Sequence, residues 1–124
     1  MEAEKVLNKI GEFDYDFKND ILLFKVKERE YSHSVELHNL IIDFDEENFI
    51  VAIQIIGASG VFQLSKEQLK GIKNFMMKCK INDGLIQINL EFNMTVRNKP
   101  VQYKPIIFQE IGKNIPNSMV TCEV

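Results

Sequence analysis

From Ile86 to Met94 apolar and polar residues alternate without a break. Ile86, Ile88, Leu90, Phe92 and Met94 take one side, and Gln87, Asn89, Glu91 and Asn93 take the other. Successive side chains of a strand point to opposite faces of a sheet, so this period of two commits the stretch to a strand with one buried and one wet face. A lone strand leaves its backbone groups unpaired, so the rest of the chain must supply partners.

Several segments qualify as partners. Phe13, Tyr15 and Phe17 alternate with Asp14 and Asp16, Lys18-Asn19-Asp20 has turn chemistry, and Ile21 to Val26 resumes the apolar pattern, which reads as a hairpin. Val35 to Asp45 follows a polar stretch from Lys27 to Ser34, with a bend or bulge marked by Asn39. Asp45-Glu46-Glu47-Asn48 makes a further turn into Phe49 to Ile56, whose few polar positions predict a central strand covered on both faces. Arg97-Asn98-Lys99-Pro100 reads as a turn into a partner strand from Val101 to Ile111, where Pro105 marks an edge or a bulge because it cannot donate to a ladder. Turn chemistry around Asn114-Ile115-Pro116-Asn117 precedes a last strand from Ser118 to Cys122.

Two segments read as helices. Val6, Leu7 and Ile10 have helical spacing with Gly11 at a C-cap position, which predicts a short helix over 3–10. Ser65 with Gln68 forms a capping box, and Leu69, Ile72, Phe75, Met76 and Cys79 fall on one stripe of a helix over 65–80, with Lys66, Lys70 and Lys73 on the other. Asn82-Asp83-Gly84 would end it. The expected fold class is α+β: one domain over 1–124, a mainly antiparallel β-sheet with one amphipathic helix packed on it, and a C-terminal β-hairpin over 85–111.

The order of elements from Tyr15 to Ser59 carries a family resemblance. Tyr15-Asp16 stands three residues before Asp20, and Leu22, Phe24 and Val26 alternate after it; Ser34-Val35-Glu36 precedes Leu40-Ile41-Ile42-Asp43-Phe44-Asp45-Glu46; Ile50 to Ile56 closes on Ala58-Ser59. This order resembles the small proteins grouped as domain of unknown function 2283, over about residues 13–60. Members usually carry Gly-Ile-Glu where this chain has Ala52-Ile53-Gln54, and they end soon after the Ala-Ser pair. A family-like β core over 12–62 and a helix-plus-hairpin extension over 63–124 are therefore expected. The resemblance implies a small cytosolic prokaryotic β-rich module with no assigned activity. Some members look like partners of small toxin-like proteins, which implies a binding role and, as one alternative, an antitoxin-like regulator.

Candidate chemistry is sparse. Asp14, Asp16, Asp20, Asp43 and Asp45 are the most concentrated acids, and carboxylates of this kind can hold Mg²⁺ or Ca²⁺ or work as an acid and base pair. A carboxylate-metal-dependent hydrolase built on Asp16, Asp20, Asp43 and Asp45 is thus an alternative, against the weightier reading that they are wet-face and turn residues. His33 and His38, five residues apart, would point to opposite faces of a regular strand and so read as solvated. Gly57-Ala58-Ser59-Gly60 lacks the second glycine of a nucleophile elbow, since position 61 is valine, and lacks the Gly-Lys-Ser/Thr of a phosphate loop, so it reads as a turn. Lys66, Lys70 and Lys73 form an anion or partner face.

Charge narrows the classes further. Residues 1–50 hold 13 acids against 6 bases, which disfavours wrapping a nucleic-acid duplex. The acidic start, Met1-Glu2-Ala3-Glu4-Lys5, is unlike a secretory signal, no apolar run is membrane-sized, and the two cysteines, Cys79 and Cys122, have no metal spacing. A cytoplasmic protein with reduced thiols and no cofactor is expected. Several apolar strands with one covering helix also leave edges or a face to be buried, and a homodimer, or a protein partner, would bury them. The leading expectation is a noncatalytic protein-interaction module that self-associates.

Overall fold

The computed structural model describes residues 5–112 and 115–123. Ten strands and two short helices follow in the order β1 Lys5–Asp16, β2 Ile21–Val26, β3 His33–Leu37, β4 Leu40–Phe44, β5 Ile50–Ile56, α1 Ala58–Phe62, α2 Lys66–Lys70, β6 Lys73–Asn82, β7 Leu85–Val96, β8 Lys99–Tyr103, β9 Ile106–Glu110 and β10 Ser118–Glu123. The strands pair in the order β3-β4-β5-β2-β1-β10-β6-β7-β8, with β9 also on β7. Every pairing is antiparallel except β1 with β10, which is parallel, so the sheet is mixed.

The fold is therefore mostly β, and the expected α+β class is corrected. The capping box exists, with Ser65 Oγ accepting from Gln68 N and Gln68 Oε1 accepting from Ser65 N, but its helix stops at Lys70 and Gly71. Residues 73–82 form β6, where Phe75, Met77, Cys79 and Ile81 are buried and Lys73, Lys78, Lys80 and Asn82 are exposed. Phe75 and Cys79, four apart, satisfy a helical stripe and a strand face equally. Met77 and Ile81 decide for the strand. Pairing on both sides, to β7 and β10, satisfies the backbone of β6 across the sheet.

The expected helix over 3–10 is also replaced. Residues 3 and 4 lie outside the described residues, and Lys5–Ile10 are the first half of β1, each paired in register with β10 from Lys5↔Ser118 to Ile10↔Glu123. From Gly11 onward β1 changes partner and pairs with β2. A Cβ on Gly11 would lie 2.8 Å from Cys122 Sγ and 3.3 Å from the Lys25 carbonyl oxygen, so at this crossing only a bare backbone fits.

The remaining elements refine the expectation, and Asp83-Gly84, expected to end a helix, turns a hairpin between β6 and β7. Asp83 and Gly84 at φ 50° and 81°, and Arg97 and Asn98 at φ 51° and 65°, give the doubly left-handed turns that join tightly twisted hairpins. Val35 to Asp45 is two strands rather than one bent strand, turning at His38 and Asn39 so that Leu37 pairs with Leu40. The C-terminal hairpin over 85–111 is three strands, since the chain breaks at Lys104-Pro105 and both β8 and β9 pair with β7. Asn114 lies outside the described residues; β10 begins at Ser118 as read.

One core joins the two halves on either side of β1. The Phe24 ring of β2 stacks on the Phe75 ring of β6 with centroids 3.6 Å apart, and Phe13 leans on both. The half made of β1–β5 therefore folds onto the half made of β6–β10, leaving each with one outward face.

Candidate functional site

Asp20 is the most connected acid. It sits at φ 56° in the β1–β2 turn, in the left-handed region that Asp tolerates better than most residues. Tyr15 Oη donates to its Oδ1 at 2.6 Å, Ser59 Oγ donates to its Oδ2 at 2.6 Å, and Ser59 N donates to Oδ1 at 3.1 Å. Its carbonyl oxygen accepts from Gly57 N and Ala58 N. The turn after β1 is thereby fastened to the chain leaving β5. Partial burial works to raise the Asp20 pKa, but the hydrogen bonds from Ser59 and Tyr15 and the charge of Lys66 outweigh it and hold the carboxyl below its ordinary value. Burial, then the hydrogen bond to Asp20, pushes the Tyr15 hydroxyl far up, so it remains a neutral donor.

The remaining aspartates finish turns or pair across strands. Asp16 accepts from Asn19 N at 3.1 Å and Asn19 Nδ2 at 2.8 Å, which lowers its pKa. Asp45 is buried; its Oδ1 accepts from Glu47 N and Phe49 N at 2.9 Å each, and Arg29 donates to its Oδ2 at 2.9 Å. Asp43 accepts from Ser34 Oγ at 2.6 Å across the β3–β4 pair. Asp14 is exposed on β1 opposite Leu23. Asp16 on β1 and Asp43 on β4 lie three strands apart and four residues out of register, about 19 Å from one another. The fold does not bring Asp16, Asp20, Asp43 and Asp45 together. Among the described residues no group of three or more His, Cys, Asp or Glu side chains is placed to hold a metal ion.

The lysine face is divided as well. Lys66 and Lys70 of α2 hold their ammonium groups 5.6 Å and 5.4 Å from the centroid of the Phe17 ring, a cation–π arrangement, whereas Lys73 opens β6. His33 stacks on Phe44 at 5.2 Å, and His38 occupies the β3–β4 turn at φ 49°. Gly57, at φ 68°, caps α1 in a left-handed conformation, so the Gly57-Ala58-Ser59-Gly60 stretch is turn and helix start, with the Gly57, Ala58 and Ser59 amides spent on Asp20. Cys79 and Cys122 are free and buried; burial, aided by the neighbouring Cys122, raises the Cys79 pKa well up, and burial takes Cys122 to about 11.

Two surfaces remain. On the first half, Ala52 leaves a depression between Lys25 and Asp43, which flank it in register. The Arg29-Glu30-Tyr31 loop overhangs it, and the cleft holds about 490 Å³. On the second half, the outward residues of five strands align in rows: Val6, Met119, Lys80, Gln87 and Phe108 in one, Asn8, Thr121, Lys78, Asn89 and Ile106 in the next, Ile10, Glu123, Met76 and Glu91 in a third. Val6, Ile10, Leu85, Ile106 and Phe108 are 53%, 67%, 42%, 55% and 59% exposed. Sequence reasoning missed the fastening of Asp20 to Ser59, the Arg29–Asp45 ion pair and this apolar face. Reading β6 as a strand would have revealed the face, because Lys78 and Lys80 alternate with Cys79 and Ile81.

Among the described residues no helix is long and apolar enough to cross a membrane. The molecule is thus a small, mostly β protein of one mixed sheet folded on itself. The chain belongs to the family described as protein of unknown function (DUF2283), whose model matches residues 12–59. A Methanosarcina mazei protein provisionally named a hypoxanthine phosphoribosyltransferase is 35% identical over 101 residues, 82% of this chain and 80% of that one. An uncharacterised Methanocaldococcus jannaschii protein is 32% identical over 95 residues, 76% of this chain and 82% of its own length. Matches of that length necessarily run past residue 64, so these relatives share part of the extension that the family model leaves unmatched. No solved structure matches the chain.

Proposed function

We propose that the protein is a noncatalytic protein-interaction module that self-associates. The observation that carries this reading is the outward face of β1, β10, β6, β7 and β9, where Val6 and Ile10 stand in solvent at one edge and Leu85, Ile106 and Phe108 at the other. Several large apolar side chains exposed on one sheet face mark an association surface. The polar residues that would serve a reaction are spent elsewhere, with Asp20 and Asp45 each accepting several hydrogen bonds within the fold. The phosphoribosyl transfer in the Methanosarcina relative's name would need donors and cations converging on a pyrophosphate. Lys66 and Lys70 lie instead over Phe17, so that activity is not adopted for this chain. Sedimentation velocity between about 1 and about 300 μM, spanning the affinities of weak dimers, should show mass rising with concentration. A monomer throughout that range removes the reading.

A further inference from the structure

On the second outward face, charge is distributed with a polarity. Lys80 stands toward one end of β6 and Lys78 at its middle, and Met76 stands toward the other end, flanked in register by Glu123 of β10 and Glu91 of β7. Around Met76 the surface sinks into a hollow of about 280 Å³ lined by Asn74, Phe75, Met76, Glu91, Gln102 and Glu123. A second depression of about 270 Å³ lies beside it, over Lys78, Asn89 and Ile106. Among the described residues Lys78, Lys80 and Glu123 take part in no ion pair, while Glu91 is met by Lys104 at 3.3 Å. A basic side chain toward one end and a carboxylate-rimmed hollow floored by Met76 at the other make the face complementary to itself when one copy is turned end for end.

We infer that a second copy of this chain docks on this face, about a twofold axis running across the strands near Lys78, so that Lys80 of each copy lies over the Met76 hollow of the other. This arrangement rests on the self-association proposed above and names its surface. The lysine stem is four methylenes long and packs on apolar ground while its ammonium reaches a polar rim. Met76 supplies that ground, and Glu91 and Glu123 supply the rim. The same rotation carries Val6 toward Ile10 along β1, so the outermost strand contributes apolar contact at both ends. A twofold interface of this kind uses each contact twice, once in each direction, which is how a modest surface gains enough to hold.

Charge reversal tests it. Lys80→Glu and Glu123→Lys alter exposed side chains on opposite ends of the face, and far-UV circular dichroism of each variant checks that the sheet is kept. Each single variant is expected to weaken the dimer by about tenfold or more in sedimentation equilibrium, as reversing a paired charge at an interface does. The double variant Lys80→Glu/Glu123→Lys should return to within about threefold of the natural protein, because the pairs re-form with opposite sign. If the natural protein dimerises and neither single variant weakens it, self-association stands and this surface is wrong. If both weaken it and the double variant fails to recover, the end-for-end arrangement is wrong. A natural protein that stays monomeric overturns both this surface and the function it rests on.

Discussion

Asp20 shows how one side chain can determine where two distant parts of a chain meet. Its carboxylate takes hydrogen bonds from Tyr15, five residues before it, and from Ser59, 39 residues after it. Replacing it by Asn keeps the left-handed backbone but gives up the charge and at least one acceptor. Asp20→Asn should lower stability at pH 7 by about 1.5–3 kcal/mol in urea titration, the range for hydrogen bonds to a charged group. The pH dependence has a definite sign. The folded Asp20 and Asp16 carboxyls both lie below their ordinary values, so their contribution is complete above the unfolded value of about 4 and is lost as pH falls through the lower folded value. The natural protein should therefore lose stability below pH 4, and Asp20→Asn should lose less of it over the same interval; an equal loss in both would show that Asp20 contributes nothing to the linkage. That the aspartates serve turns was legible in the sequence, because Asp beside Lys-Asn has local bonding partners. Ser59 as the partner was not, because that contact exists only once β2 and β5 lie side by side.

Among the elements, β1 and β6 are where periodicity misled. Lys5 to Ile10 offers Val6, Leu7 and Ile10, a spacing a helix would use, yet only Leu7 is buried while Val6 and Ile10 face outward. Extended pairing with β10 satisfies more backbone groups than one isolated turn of helix could hold. Gly11 then marks the crossing where β1 leaves β10 for β2. Gly→Ala in a strand ordinarily helps by restricting the unfolded chain, but here the added methyl meets Cys122 Sγ at 2.8 Å. Gly11→Ala should cost about 1–3 kcal/mol by overpacking. In a Cys122→Ala background the cost should shrink by at least about 0.5 kcal/mol in a double-mutant cycle. Additive effects would mean that the strain lies not at the sulfur but at the residue 122 Cβ, 3.0 Å away, or the Lys25 carbonyl. β7 and the turn at Arg97-Asn98 were legible because alternation and turn chemistry are local, whereas Asp83-Gly84 read as a helix end because β6 read as a helix. For β6, whose anchors Phe75 and Cys79 suit both periods, the choice fell to its neighbours.

At the scale of the molecule, β1 belongs to both halves and a single core runs beneath them, with Phe24 of one half stacked on Phe75 of the other. Neither half can unfold without stripping β1 from its second partner. Far-UV and near-UV circular dichroism should therefore report one coincident urea transition, and two separated midpoints would show that the family-matched half and the extension unfold independently. The amino-acid order by itself determined that the chain is strand-rich, that its aspartates and glycines close turns, and that residues 12–59 form a recognisable unit. These properties depend on neighbours within a few residues, where steric preference and hydrogen bonding act. The tertiary structure alone decided that 73–82 is a strand, that the chain's two ends run parallel as β1 and β10, and which side of the sheet is left in water. Those outcomes depend on pairing between residues up to about the whole chain apart, and the free energy of such pairing belongs to neither segment alone.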